Sequence, residues 1–203
     1  MTRFAKMNPR LLGIIAAIEV VLAAALLFLL GLPGVPKPGV VLVWLVPMVF
    51  GLHVAEEFAF PGGYPDWYKT HNPRLGEALT PSYLVKINAI PGVLTILVAL
   101  SVFDWAGGYT FFGIRVWMAF LSLLGANGLF HIRGAITSRQ YCPGLVTSAV
   151  LYLPLAIVCY ACFLLTGMVD VYSAIVCLAL GALFQPALDF FKARNLKRAA
   201  PDR

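Results

Sequence analysis

Charge is the scarcest property of this chain: 12% of its 203 residues are Asp, Glu, Lys or Arg, while 61% are hydrophobic. Soluble domains carry about 25% charged residues, so this composition excludes a soluble globular fold. Acidic residues are scarcer than basic ones, nine against fifteen. The sequence lacks a P-loop, a GxSxG elbow and a dinucleotide fingerprint, which argues against nucleotide and serine-hydrolase chemistry. It also lacks an internal repeat and a low-complexity tract. Without symmetric halves carrying interrupted helices, a secondary transporter is disfavoured. The four cysteines do not form a disulfide framework. Cys142 falls on the side read below as cytoplasmic, where thiols stay reduced. Cys159 and Cys162 make a CxxC, but within an apolar helix, where cysteine acts as a small hydrophobe.

What the chain has instead is a succession of hydrophobic runs, each of the roughly 20 residues needed to cross a hydrocarbon core of about 30 Å. They fall near 11–31, 39–60, 83–103, 110–133, 145–166 and 169–191. Short connections leave no room for a separate soluble domain, so the expectation is one all-α integral membrane domain over 1–203, a six-helix transmembrane bundle. Asn8-Pro9 suits a helix start with proline in the first turn. The first run is too long for a signal-peptide core and is interrupted by Glu19, which favours a retained helix. Thirteen of the fifteen Lys and Arg residues fall on one side of this arrangement, leaving Lys37 and Arg115 on the other. The positive-inside rule then places both termini in the cytoplasm. The net charge of +6 thus reads as a topology signal with affinity for anionic membrane lipids, and not as a nucleic-acid surface.

Within the second run stands His53-Val54-Ala55-Glu56-Glu57. A charged residue at a helix centre in a membrane costs roughly 2.5–3.5 kcal/mol on insertion scales, so such groups face a bundle interior and mark function. Glu56 and Glu57 lie three and four residues beyond His53, and the three side chains fall on one helical face. Asn127 and His131, four apart, end the fourth run; Gln185 and Asp189, also four apart, end the sixth. In the expected topology these pairs lie at one depth near the cytoplasmic boundary, with Asn88 at the same level. Glu19 lies deeper, about 13 Å from Arg10 at 1.5 Å per residue. It therefore requires a buried partner or a proton. The opposite end holds little beyond Asp104, Arg115 and Asp170. This asymmetry predicts a polar centre.

Interfacial placement is the competing reading for several of these groups. Asp189 precedes Lys192 and Arg194, Gln185 precedes the kinking Pro186, and His131 precedes Arg133. Tyr141 can hydrogen-bond into the site or anchor at the headgroups, and anchoring is the preferred expectation. The connection from Pro61 to Pro81 carries Tyr64, Trp67, Tyr68 and His71 beside Lys69 and Arg74. It suits a segment lying in the interface, or a lid with His71 as an extra ligand.

His53-Val54-Ala55-Glu56-Glu57, then Asn127 and His131, then Tyr141-Cys142-Pro143-Gly144 with Thr147, resemble the HXXEE-motif family of small bacterial membrane proteins. That family is defined by its motif and not by a settled activity. The resemblance implies a multi-span protein of the bacterial inner membrane whose His and Glu residues form the site.

His53, Glu56, Glu57 and His131 are a ligand set for zinc, iron or manganese, with Asn127 beside them and Glu19, Asn88, Tyr141 and Asp189 as further candidates. The Glu-x-x-His repeat of helical di-iron bundles is absent. The expected function is a membrane-embedded, metal-dependent enzyme acting on a lipophilic substrate, hydrolytic with zinc or oxidative with iron. Alternatives on the same residues are a metal-free acid–base isomerase or cyclase, similar in general form to the sterol-isomerase superfamily, and a proton-coupled transporter or binding protein.

Overall fold

The computed structural model describes residues 9–29, 37–104 and 108–199. Helices α1 (Pro9–Leu29), α2 (Lys37–Phe58), α5 (Pro81–Ser101) and α6 (Phe111–Ser138) are long. Two short helices, α3 (Tyr64–His71) and α4 (Pro73–Gly76), fill the connection between α2 and α5. Helix α7 (Leu145–Thr147) runs through a π turn (Ser148–Tyr152) into α8 (Leu153–Leu165). Helices α9 (Val171–Ala182) and α10 (Phe184–Ala199) close the chain. No strand forms among the described residues; Phe103 and Tyr109 make an isolated bridge.

Local chemistry explains the boundaries. Thr80, Thr110 and Asp170 accept hydrogen bonds from the backbone N–H groups of Tyr83, Gly113 and Ser173, capping α5, α6 and α9. Pro154 cannot donate to the carbonyl four residues back, and its ring crowds that turn, so the helix widens into the π turn just before it. Pro186 acts in the same way near the break at Leu183 between α9 and α10. Helices α1 and α2 pack closely because Gly51 carries no side chain. A Cβ there would lie 2.7 Å from the Ala16 carbonyl oxygen.

Five stretches are long and apolar enough to cross a membrane: Gly39–Phe58, Tyr83–Ser101, Phe111–Ser138, Leu145–Leu165 and Val171–Arg194. They mark an integral membrane protein. In α1 the apolar stretch, Leu11–Leu26, is shorter than the others. The expected runs agree with these helices to within a few residues, except that α6 continues to Ser138 and the last run is broken at Leu183. Residues 30 and 31 of the first run lie outside the described residues, as do Asn8 of the expected helix start and the basic residues Arg3, Lys6 and Arg203.

The core sits where α2, α5, α6 and the α7–α8 unit meet. Trp44, Trp117, Tyr152 and Phe163 are fully buried, together with His53 and His131. Two histidines inside the best-packed part of an apolar bundle are what the rest of the fold positions.

Candidate metal centre

His53, Glu57 and His131 each turn one ligand atom toward a common point, with all three atoms within 4.8 Å of one another. His53 Nε2 lies 3.5 Å from Glu57 Oε1, and His131 Nε2 lies 3.0 Å from the same oxygen. All three side chains are buried. Bonds of about 2.0–2.2 Å from zinc to imidazole nitrogen and carboxylate oxygen put neighbouring ligand atoms roughly 3.3 Å apart. The two His–Glu separations match that spacing, and the imidazoles would have to close toward each other on an ion; the cluster could hold a metal ion and is the only such group among the described residues.

One atom gives the fit its force. His131 Nε2 is buried and faces Glu57 Oε1 at 3.0 Å. A cation or a proton between that nitrogen and the carboxylate oxygen accounts for so short a separation. A buried carboxylate beside neutral imidazoles also needs a compensating positive charge. Two histidines and one carboxylate are the donor set of catalytic zinc sites and of non-haem iron sites.

The surroundings orient His53. Thr147 donates its hydroxyl to Glu56 Oε2 at 2.6 Å, so its oxygen is left to accept from His53 Nδ1 at 2.8 Å. That arrangement puts the ring proton on Nδ1 and leaves Nε2 unprotonated, facing the cluster. Asn127 Nδ2 donates to this Nε2 at 3.1 Å, using the single lone pair a metal would take, so ligation by His53 requires this amide to turn away.

Glu56 is thus brought beside the site but not into the cluster. Its carboxylate turns the other way, accepting from the backbone N–H groups of Val146 (2.9 Å) and Thr147 (2.7 Å) and from the Tyr141 hydroxyl (2.5 Å). It caps α7 from a different helix, a role the helix's own Gly144 does not fill. The expectation that Tyr141 anchors at the headgroups gives way here, because its hydroxyl binds Glu56. Burial and the Glu56 carboxylate push the Tyr141 phenol up, which keeps it a donor.

Gly144 holds a positive φ of 96°. A Cβ on it would lie 2.8 Å from His53 Cε1 and 2.9 Å from His131 Nδ1. The turn that starts α7 can approach both imidazoles only as glycine.

The motif, the histidine pair and the Tyr141–Thr147 turn thus form one unit. The family described as a protein of unknown function with HXXEE motif matches residues 44–159, more than half of the chain. The chain belongs to this HXXEE family. No curated protein and no solved structure matches it. The matched region contains every group of the HXXEE cluster and its supports.

The other predicted residues are distributed around this centre. Asn88 is buried, gives its amide to the Leu84 carbonyl at 2.8 Å, and lines a cavity of about 60 Å³ together with His53, Glu57 and Asn127. Asp189 lies outside the cluster, 3.0 Å from Lys192 Nζ. Glu19 is also outside; its carboxylate lies 3.2 Å from the Thr95 hydroxyl, which bonds the Gly92 carbonyl more closely, at 2.6 Å. His71 does not join: its Nδ1 bonds the Trp67 carbonyl and its ring stacks on Trp67. The Gln185 side chain lies outside the described residues. The α3 segment does cover the centre, with the Tyr64 ring 5.4 Å from that of His131. Burial, then the Glu57 charge, pushes the Tyr64 phenol well up, so it stays protonated.

Sequence reasoning missed three participants. Tyr152 packs its ring 4.5 Å from His53 and carries a buried hydroxyl without a partner. The nearby Pro154, a sign of a distorted turn, was its only signal. Cys142 lies 3.4 Å from His131 Nδ1. Burial, with the Glu57 and Glu56 charges, pushes its thiol up to about 12. Lys192, read as one of the topology-setting cations, is 3% exposed, bonds the Tyr68 hydroxyl and lines the cavity.

Proposed function

We propose that this HXXEE protein is a membrane-embedded enzyme whose His53, Glu57 and His131 hold a divalent metal near the cytoplasmic face and act on a lipophilic substrate. The observation that carries the reading is the convergence of His53 Nε2 and His131 Nε2 on Glu57 Oε1, at 3.5 and 3.0 Å, inside the buried core. A divalent ion there supplies Lewis-acid polarisation of a substrate or water oxygen. Glu57 balances its charge, while Thr147 and Glu56 hold His53 in the ligating tautomer. The Asn127 amide, which lines the cavity beside His53 and Glu57, is a polar group placed to orient a substrate. Phe50, Phe58 and Leu124 line the cavity and exclude bulk water. We place α1 as a sixth span, both termini in the cytoplasm, and the protein in a bacterial inner membrane. The thirteen basic residues on one side support this orientation.

A metal-free acid–base isomerase is the second reading, because a proton shared by Glu57 and His131 would also resolve their contact. Elemental analysis of the detergent-purified protein beside a His53→Ala/Glu57→Ala variant separates the two. Stoichiometric metal that disappears in the variant is expected. A wild-type protein without metal, even after zinc, iron and manganese are added back, overturns the metal reading and leaves the acid–base one.

A further inference from the structure

The cavity of about 60 Å³ at the cluster is small. One water-sized sphere, about 10–15 Å³, is needed to hold a water, so the cavity takes a polar head and not a whole long-chain molecule. It is not isolated, however. Ile87 and Pro91 of α5 and Phe184 and Leu188 of α10 line it on one side and, on the other, a groove of about 630 Å³. The groove wall is mostly apolar. Ile90 and Phe191, both more than half exposed, form its outer part, while Glu77, Thr80 and Lys86 lie at one end.

In a chain of membrane-crossing helices, an open apolar groove between α5 and α10 faces acyl chains. The polar residues of the groove mark its end toward the headgroups. We propose that the substrate is a single-chain amphiphile with a small oxygen-bearing head, such as a hydroxyl, aldehyde or carboxyl group. Its chain lies in the α5–α10 groove and its head reaches, from the side, the cavity lined by His53, Glu57 and Asn127. Two features set the class. The cavity is about a tenth the size of the groove, which suits a head much smaller than the chain, and the shared wall of Ile87, Pro91, Phe184 and Leu188 sets groove and cavity side by side. This inference rests on the reading of the cluster as the reactive centre.

The test is photolabelling of the detergent-solubilised full chain with a long-chain alcohol carrying a diazirine on its tail, mapped by mass spectrometry. Labelling concentrated on residues 83–91 and 184–196, and reduced several-fold by excess unlabelled alcohol, is the expected result. In Ile90→Trp, an exposed position that fills the groove without lining the cavity, groove labelling is expected to fall several-fold while metal content stays at the wild-type level. Labelling spread over exposed apolar faces such as Ile157 and Val158, and indifferent to competitor, overturns the proposal. Metal content measured on the same samples keeps the two readings apart. Saturable groove labelling without metal leaves the groove and removes the metal centre, whereas stoichiometric metal with diffuse labelling does the reverse.

Discussion

The two ends of the bundle handle charge in opposite ways. At the far end, Asp170 accepts from the Ser173 backbone at 2.8 Å and the Ser173 hydroxyl at 2.6 Å, and pairs with Arg115 at 3.1 Å. Arg115 in turn stacks on Phe111. Each group there is exposed or half-buried, and its partners account for its presence as a helix cap. At the near end, His53, Glu57 and His131 are buried, cap nothing, and converge on one carboxylate oxygen as a group that could hold a metal ion. A polar cluster that its own protein leaves incomplete is a site; one that closes on itself is scaffolding. Glu56 and Glu57 carry the contrast down to neighbouring residues, since Glu56 is a fully engaged cap and Glu57 is not.

The strongest way to break this comparison is Gly144→Ala. The new methyl group would meet both imidazoles at under 3 Å, in a backbone conformation of φ 96°. The left-handed backbone costs roughly 1–2 kcal/mol in stability, but the main effect falls on the cluster, because the rings must move to admit the methyl group. Metal content is expected to fall to background while the helical circular dichroism persists. Full metal retention would mean that the turn at Gly144 does not set the imidazole positions.

Thr147→Val sharpens the contrast on a smaller scale. The hydroxyl that links Glu56 to His53 disappears, while the backbone N–H groups of Val146 and residue 147 still reach Glu56. Outer-shell partners of this kind are worth about 10–100-fold in metal affinity. A loss of that size is expected in competition with a chelating dye, with most of it restored in Thr147→Ser. Equal affinity in the valine variant would remove the tautomer relay and leave Thr147 as packing alone.

Much of this was legible in the sequence because membrane insertion makes composition informative. Runs of apolar residues announced the helices, and an imidazole with carboxylates inside a run announced the centre. The i, i+4 spacing of His53 with Glu57 and of Asn127 with His131 placed each pair on one face, as the structure has them. What spacing could not separate was Glu56 from Glu57. One residue turns a side chain by about 100°, and which of the two meets His131 and which meets the α7 backbone depends on packing between helices remote in sequence. Tyr141 was read as an anchor for the same reason: its partner lies 85 residues away. Lys192 was counted with exposed cations because charge statistics treat every lysine near a membrane end alike, whereas this one is covered and bonds Tyr68.

The smallest expected effect lies at the far end, in Asp170→Asn. Asparagine also caps a helix, so Ser173 keeps an acceptor, and what disappears is the charge that strengthens those bonds and pairs with Arg115. The Ser173 hydroxyl and backbone N–H, with Arg115, hold the Asp170 carboxyl well below the usual carboxylate range. A depressed value in the folded protein means that the carboxylate contributes stability at pH above its ordinary 3.8 and loses it as pH falls further, through the folded value. The variant should therefore melt slightly lower than the wild type at neutral pH, and the gap should begin to close only below 3.8. Exposure and salt keep that gap small. Metal content should be unchanged, because Asp170 touches nothing that touches His53, Glu57 or His131. A fall in metal content would show the two ends to be energetically coupled, and the division between scaffolding and site would then have to be redrawn.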